Sequence, residues 1–342
     1  MGYKNKKKYY KDLHQQAYEV LKKKLAIGES KKQAIQKGTA KDKIFSYKTY
    51  KTYWGQIKYF ISYVKKNHPE CKNLKYARQY VREWLKQGEE QELSAWTIHT
   101  EAKAVGKLFD ISVDDPDYYQ PPQRRREDIK RSRITRARDK HFSVTNNDEL
   151  IRFCKGVGAR REGMTKMRGK DLRTREELEH EVECLTSIAK SKGLTEEERK
   201  LIRIDKDALS FTQSNYFVYL REKGGRERIS PIVGPDIDAI VARFRERKPE
   251  ERVWLHVNTN ADIHAYRADY SNRIYRMYAR PIEEIPYDKY HAGIKHMYQS
   301  EVYHCRKDEK GRLLDKRAMR MASIALGHNR IEVVANNYLR GL

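Results

Sequence analysis

The chain has 342 residues, 38% of them hydrophobic and 35% charged, and its 73 Lys and Arg against 48 Asp and Glu give a formal net charge of +25. That length gives room for two domains with separate cores, and an aromatic content of 11% argues against wholesale disorder. The positive excess favours a polyanion, nucleic acid first and an anionic membrane surface second, because each neutralised phosphate releases counterions.

Residues 1–43 are dominated by lysine, beginning with Lys4, Lys6, Lys7 and Lys8. The pattern from Tyr9 to Leu25 is amphipathic at best, so this stretch reads as a basic arm that orders on a polyanion, or as a solvated tail. Residues 44–112 turn firmly helical. Tyr50, Tyr53, Trp54, Ile57, Phe60, Ile61 and Val64 form one apolar stripe. After a break at Pro69, Leu74, Ala77, Tyr80, Val81, Trp84 and Leu85 form a second. Ser94 is the expected N-cap of a third helix carrying Trp96, Ile98, Ala102, Val105, Leu108 and Phe109. Three such stripes predict a helical bundle, with Lys48, Lys51 and Lys58 on the first helix placed for phosphates or simply for water. Residues 113–142 lose the pattern. Pro121-Pro122, Arg124, Arg125 and Arg126, then Arg131, Arg133, Arg136 and Arg138, mark a basic interdomain linker.

A second domain is expected over 143–342. Thr145 is the expected cap of a short helix that ends near Gly156-Val-Gly158, followed by Arg160-Arg161, Met164, Met167, Asp171 and Leu172. Residues 173–208 look inserted and are rich in glutamate, with a capping box at Thr195-Glu-Glu-Glu198; so acidic a segment is not expected to touch DNA, and it reads as a surface for a partner subunit or as a decoration. Phe217–Leu220 and Arg228–Ile232 are strand-like and flank Lys223-Gly-Gly, which predicts a hairpin. A helix is expected from Pro235 to Phe244. Next come His264-x-x-Arg267, three residues apart on one helical face, and a second insertion over 281–316. Last, an apolar helix stops at Gly327, a glycine suited to a left-handed C-cap that would aim His328. A second short helix ends on Tyr338.

Each motif by itself is weak: helix ends carry arginines, and the chain has 24 tyrosines. The ordered set Arg160, Lys223, His264 with Arg267, Gly327-His328 and Tyr338 resembles the tyrosine recombinases, the phage-integrase superfamily. The resemblance implies a mainly α fold with a small antiparallel β-sheet. A helical, SAM-like core-binding domain and a mixed α/β catalytic domain would close as a C-shaped clamp on DNA. Departures are Ala268, where a histidine often follows the arginine, the long interval from His264 to His328, and a His328–Tyr338 spacing one residue longer than is commonest. A competing pair, His291 with Lys295, has the wrong spacing and a lysine that cannot hold phosphate with two prongs.

By that resemblance Tyr338 is the nucleophile that forms a 3′-phosphotyrosine, and Arg160, Arg267 and His328 hold the phosphate. His264 assists proton movement or positioning, and Lys223 protonates the leaving 5′ oxygen. The expected activity is site-specific DNA recombination or integration for a mobile element, without cofactor or metal. The expected assembly is a homotetramer on paired double-stranded sites, with accessory DNA-bending proteins. A telomere resolvase, a type IB topoisomerase and a non-catalytic DNA-binding regulator are the alternatives. No run approaches the ~18 apolar residues of a spanning helix. The four scattered cysteines, Cys71, Cys154, Cys184 and Cys305, form no CxxC pair. Both features point to a reducing cytoplasm, and the DNA partner that the resemblance implies adds association with the nucleoid.

Overall fold

An apolar stripe on a helix is stable only when a second one covers it, and the fold follows from which stripes meet. A computed structural model describes residues 11–125, 142–222, 226–285, 301–306, 309–328 and 330–339. The chain is mainly helical, with a small antiparallel sheet, and divides into two compact units, 1–130 and 131–342. No helix among the described residues is long and apolar enough to cross a membrane.

In the first unit the helices are α1 (Leu13–Lys23), α2 (Lys31–Gln36), α3 (Tyr47–Asn67), α4 (Leu74–Ala77), α5 (Val81–Glu90) and α6 (Ala95–Phe109). The stripe of α3 buries Ile57, Phe60, Ile61 and Val64 against Trp84 and Leu85 of α5 and Ile98, Ala102, Val105 and Leu108 of α6. Phe60 packs its ring 5.3 Å from Trp84 and 5.9 Å from Phe109, in tilted and edge-on geometry. Ser46 and Ser94 cap α3 and α6 by accepting from the amides of Thr49 and Thr97, as expected for Ser94.

The basic arm expected over residues 1–43 needs correction from Leu13 onward. Leu13, Ala17 and Leu21 of α1 are buried in the same core as α3, and Leu25 pairs with the buried Ile44 in a parallel bridge. Asp12 caps α1 and receives Lys65 of α3 at 2.6 Å; that lysine's hydrogen bond, chiefly, holds the Asp12 carboxyl down at about 2. Periodicity revealed the apolar side of α1 but not the α3 surface that covers it.

The second unit opens with α7 (Asp148–Val157) and α8 (Arg161–Lys166). Thr145 does not cap α7: residues Thr145–Asn147 form a 3-10 turn, and the helix begins after them. Strands β1 (Leu172–Thr174), β2 (Tyr216–Glu222) and β3 (Arg226–Pro231) form an antiparallel sheet in that order. Its register sets Leu172 opposite Val218, Phe217 opposite Pro231 and Glu222 opposite Arg226. The expected hairpin is thus present. Between β1 and β2 run α9 (Arg175–Lys192) and α10 (Glu196–Leu209), each started by a reciprocal capping box, Thr174 with Glu177 and Thr195 with Glu198. This acidic pair is no loose decoration, because Leu178, Ile204 and Ala208 are buried in the core.

The remainder comprises α11 (Ile237–Arg245), α12 (Ile263–Tyr278), the β4 (Val302–His304) and β5 (Leu313–Asp315) pair, α13 (Lys316–Ala325) and α14 (Ile331–Asn337). Tyr270 and Ile274 of α12 pack with Met319 and Ala322 of α13 and Val334 of α14. Phe153 of α7, Met164 of α8 and Phe244 of α11 share a second core. Arg280 grips the fully buried Asp315 through Nη2 at 2.8 Å and Nε at 2.9 Å, which ties the end of α12 to β5.

Candidate active site

Two glycines shape the site. Gly158 closes α7 at φ +64°, in the left-handed region that costs any side chain about 1–2 kcal/mol, and a β-carbon there would run into the Tyr270 ring. The turn aims the Gly158 carbonyl inward and delivers Arg160 to the start of α8. Gly327, at φ +66°, ends α13 as the sequence suggested. Its amide bonds the Ile324 carbonyl at 2.9 Å and the His328 amide bonds the Ser323 carbonyl at 2.8 Å, the two bonds of a Schellman cap. Ser323 adds a third restraint, its hydroxyl donating to the His328 carbonyl at 2.9 Å.

At the centre lies Glu222, the last residue of β2 and only 5% exposed. Its carboxylate accepts the Arg160 amide at 2.6 Å and also the Arg160 guanidinium. Arg228 of β3 lies 3.5 Å from the same carboxylate, and Arg267 of α12 lies 4.0 Å away. Burial pushes the Glu222 carboxyl up, but Arg228, Arg267 and Arg160 outweigh it and hold the group below its usual range. The converse holds for the cations: burial depresses Arg228 to about 9 and also lowers Arg267, with Glu222 opposing in both. Three positive charges thus surround one negative charge, with Glu222, Arg228 and Arg267 buried and Arg160 partly exposed, and the excess is positive.

Arg267 is fully buried. Its two terminal nitrogens donate to the Gly158 and Leu326 carbonyls, and its Nε donates to the Tyr338 hydroxyl at 3.4 Å. The Tyr338 ring, 6% exposed, also lies 5.4 Å from the His328 ring. Arg160, Arg267, His328 and Tyr338 are therefore brought together, each from a different element. Arg161 is excluded, because its guanidinium is taken up by the carbonyls of Asn258, Thr259 and Ala261 at 2.5–3.1 Å. His264 sits exposed in the first turn of α12. Lys223, Arg126, Arg131, Arg133, Arg136 and Arg138 lie outside the described residues, as do His291 and Lys295. Arg124 and Arg125 are exposed, and so are Lys48, Lys51 and Lys58 on α3.

Glu222 and Arg228 were not singled out from the sequence. The signal was there: counting in twos from the buried Val218 and Leu220 reaches Glu222 on the same face of β2. Among the described residues no three His, Cys, Asp or Glu side chains cluster as ligands for a metal ion. What the cluster offers is an anion seat beside a phenol: guanidinium donors and an imidazole fixed before any substrate arrives. No model of a known protein family matches the chain, and no curated protein matches it either.

Proposed function

We propose that the chain is a DNA strand transferase of the tyrosine-recombinase type, acting on DNA sites as a recombinase or integrase. The observation that carries this reading is the Arg267 contact: one buried guanidinium donates to the Tyr338 hydroxyl at 3.4 Å while belonging to a cluster with Arg160, Arg228 and Glu222. A phosphodiester entering there meets a nucleophile and its charge-neutralising donors together. The Tyr338 oxygen attacks phosphorus and the phenolic proton departs. The bond to the 5′ oxygen breaks, leaving a 3′-phosphotyrosine and a 5′ hydroxyl that later reverses the step. Arg160, Arg267 and His328 stabilise the charge that builds on the non-bridging oxygens. His264 and Lys223 are assigned to proton transfer, Lys223 to the leaving oxygen, on the sequence pattern. The charge of +25 and the exposed lysines of α3 suit a duplex held by its phosphates. The two-domain clamp, the tetramer and the nucleoid location belong to this proposal.

The test is covalent capture. Nicked duplexes from the DNA flanking the protein's own coding sequence are incubated with the full chain and denatured, and the expected product is DNA joined to protein through a 3′-phosphotyrosine. Tyr338→Phe abolishes the product while duplex binding persists. Binding by the unaltered chain without any such product would make it a non-catalytic DNA-binding protein. Relaxation of a plasmid lacking a specific site would favour a topoisomerase.

A further inference from the structure

We propose that the groove between α10, β3 and α13 is a second anion subsite, one that takes a DNA backbone phosphate flanking the phosphate held by Arg160 and Arg267. This rests on the strand-transfer reading and extends it to a face that its acidic sequence had excluded. The groove encloses about 670 Å³, within the roughly 300–1,000 Å³ of ligand-sized clefts. Lys200 and Arg203 of α10, Arg228 of β3 and Arg320 of α13 line it, opposed by only two carboxylates, Asp207 and Glu227. His328 lines it as well, so the groove runs up to the residue that stands against Tyr338.

The floor shows an unmet demand for an anion, and the rim adds one cation, Arg203, that only the neighbouring Asp207 opposes within the groove lining. On the floor, Arg228 is 7% exposed, and its Nε and Nη1 have no hydrogen-bond acceptor among the described residues. A buried guanidinium rarely leaves two donors unused unless an acceptor arrives from outside. On the rim, Lys200 is paired with Glu227, and Arg320 with Glu301 at 2.7 Å. Arg203 is exposed and has no ion pair among the described residues. The glutamates of α9 obscure this in the sequence. In the fold, the helix pair turns Ile204 and Ala208 into the core and sets Lys200 and Arg203 along the groove.

The experiment measures binding of the full chain to a fluorescent mixed-sequence duplex of about 30 base pairs between 50 and 200 mM salt. Removing one side chain that neutralises a phosphate lowers the slope of log K against log salt by about 0.9. Arg203→Ala and Lys200→Ala are each expected to lower it by that amount. Lys190→Ala, an exposed α9 lysine outside the groove lining, is expected to leave it unchanged. Covalent capture is expected to fall with Arg203→Ala. A wild-type slope for Arg203→Ala and Lys200→Ala overturns the subsite. So does an unchanged DNA slope with weakened binding of a polyglutamate peptide, which would assign the groove to an acidic protein segment. Failure of capture in the unaltered chain refutes strand transfer instead; the slopes still report whether this groove meets DNA.

Discussion

Glu222→Gln isolates the electrostatics of the site. Glutamine keeps the shape of the side chain and an oxygen for the Arg160 amide at 2.6 Å, so the change removes the negative charge beneath Arg160, Arg228 and Arg267 and replaces the oxygen that accepts from the Arg160 guanidinium by an amide donor. Removing one partner from a buried ionic group costs about 3–5 kcal/mol. For a unit the size of residues 131–342, at about 2–4 °C per kcal/mol, the melting temperature should fall by roughly 6–20 °C. The sign of the pH dependence follows from the depressed Glu222 carboxyl. A carboxylate whose folded value lies below its unfolded one, about 4.3, stabilises fully above that unfolded value and loses the effect as pH falls through the folded one. Urea denaturation should therefore show a constant gap between wild type and variant from pH 6 to 8, closing below about pH 4. Inorganic phosphate should stabilise the variant more than the wild type, because Arg160, Arg228 and Arg267 then lack the carboxylate charge and attract an outside anion more strongly. A variant within about 0.5 kcal/mol of wild type at pH 7, or a gap that ignores pH, would refute the reasoning.

Gly327→Ala places a β-carbon 2.7 Å from Arg228 Cδ at a φ of +66°. It should cost at least the left-handed penalty of about 1–2 kcal/mol and reduce covalent capture by displacing His328; unaltered stability in urea would show that the cap is not needed. Leu178→Ala, at a fully buried α9 position, should destabilise by about 2–5 kcal/mol. A loss below about 1 kcal/mol would return α9 to the role of a surface decoration.

Features carried by neighbours in the chain were legible without coordinates. The stripes of α3, α5 and α6, the Ser94 cap, the Thr195 capping box and the β2–β3 hairpin all follow from periods of 3.6 or 2 and from short-range hydrogen bonds. Gly327 belongs with them, since a positive φ at a helix end is a local demand. So does the order of Arg160, Arg267, His328 and Tyr338, which suggested a site before any distance was known. Their meeting is another matter. Glu222 reaches Arg160 across 62 residues, and Arg267 reaches Tyr338 across 71; no periodicity encodes such pairings. The same limit explains α1, whose partner surface lies on α3, and the α9–α10 pair, whose glutamates masked both a buried leucine and a basic groove. Sequence alone determined which residues were amphipathic, capped or turned. Only the packing of distant elements decided which charges share one carboxylate, because burial and electrostatic neighbourhood belong to three-dimensional proximity.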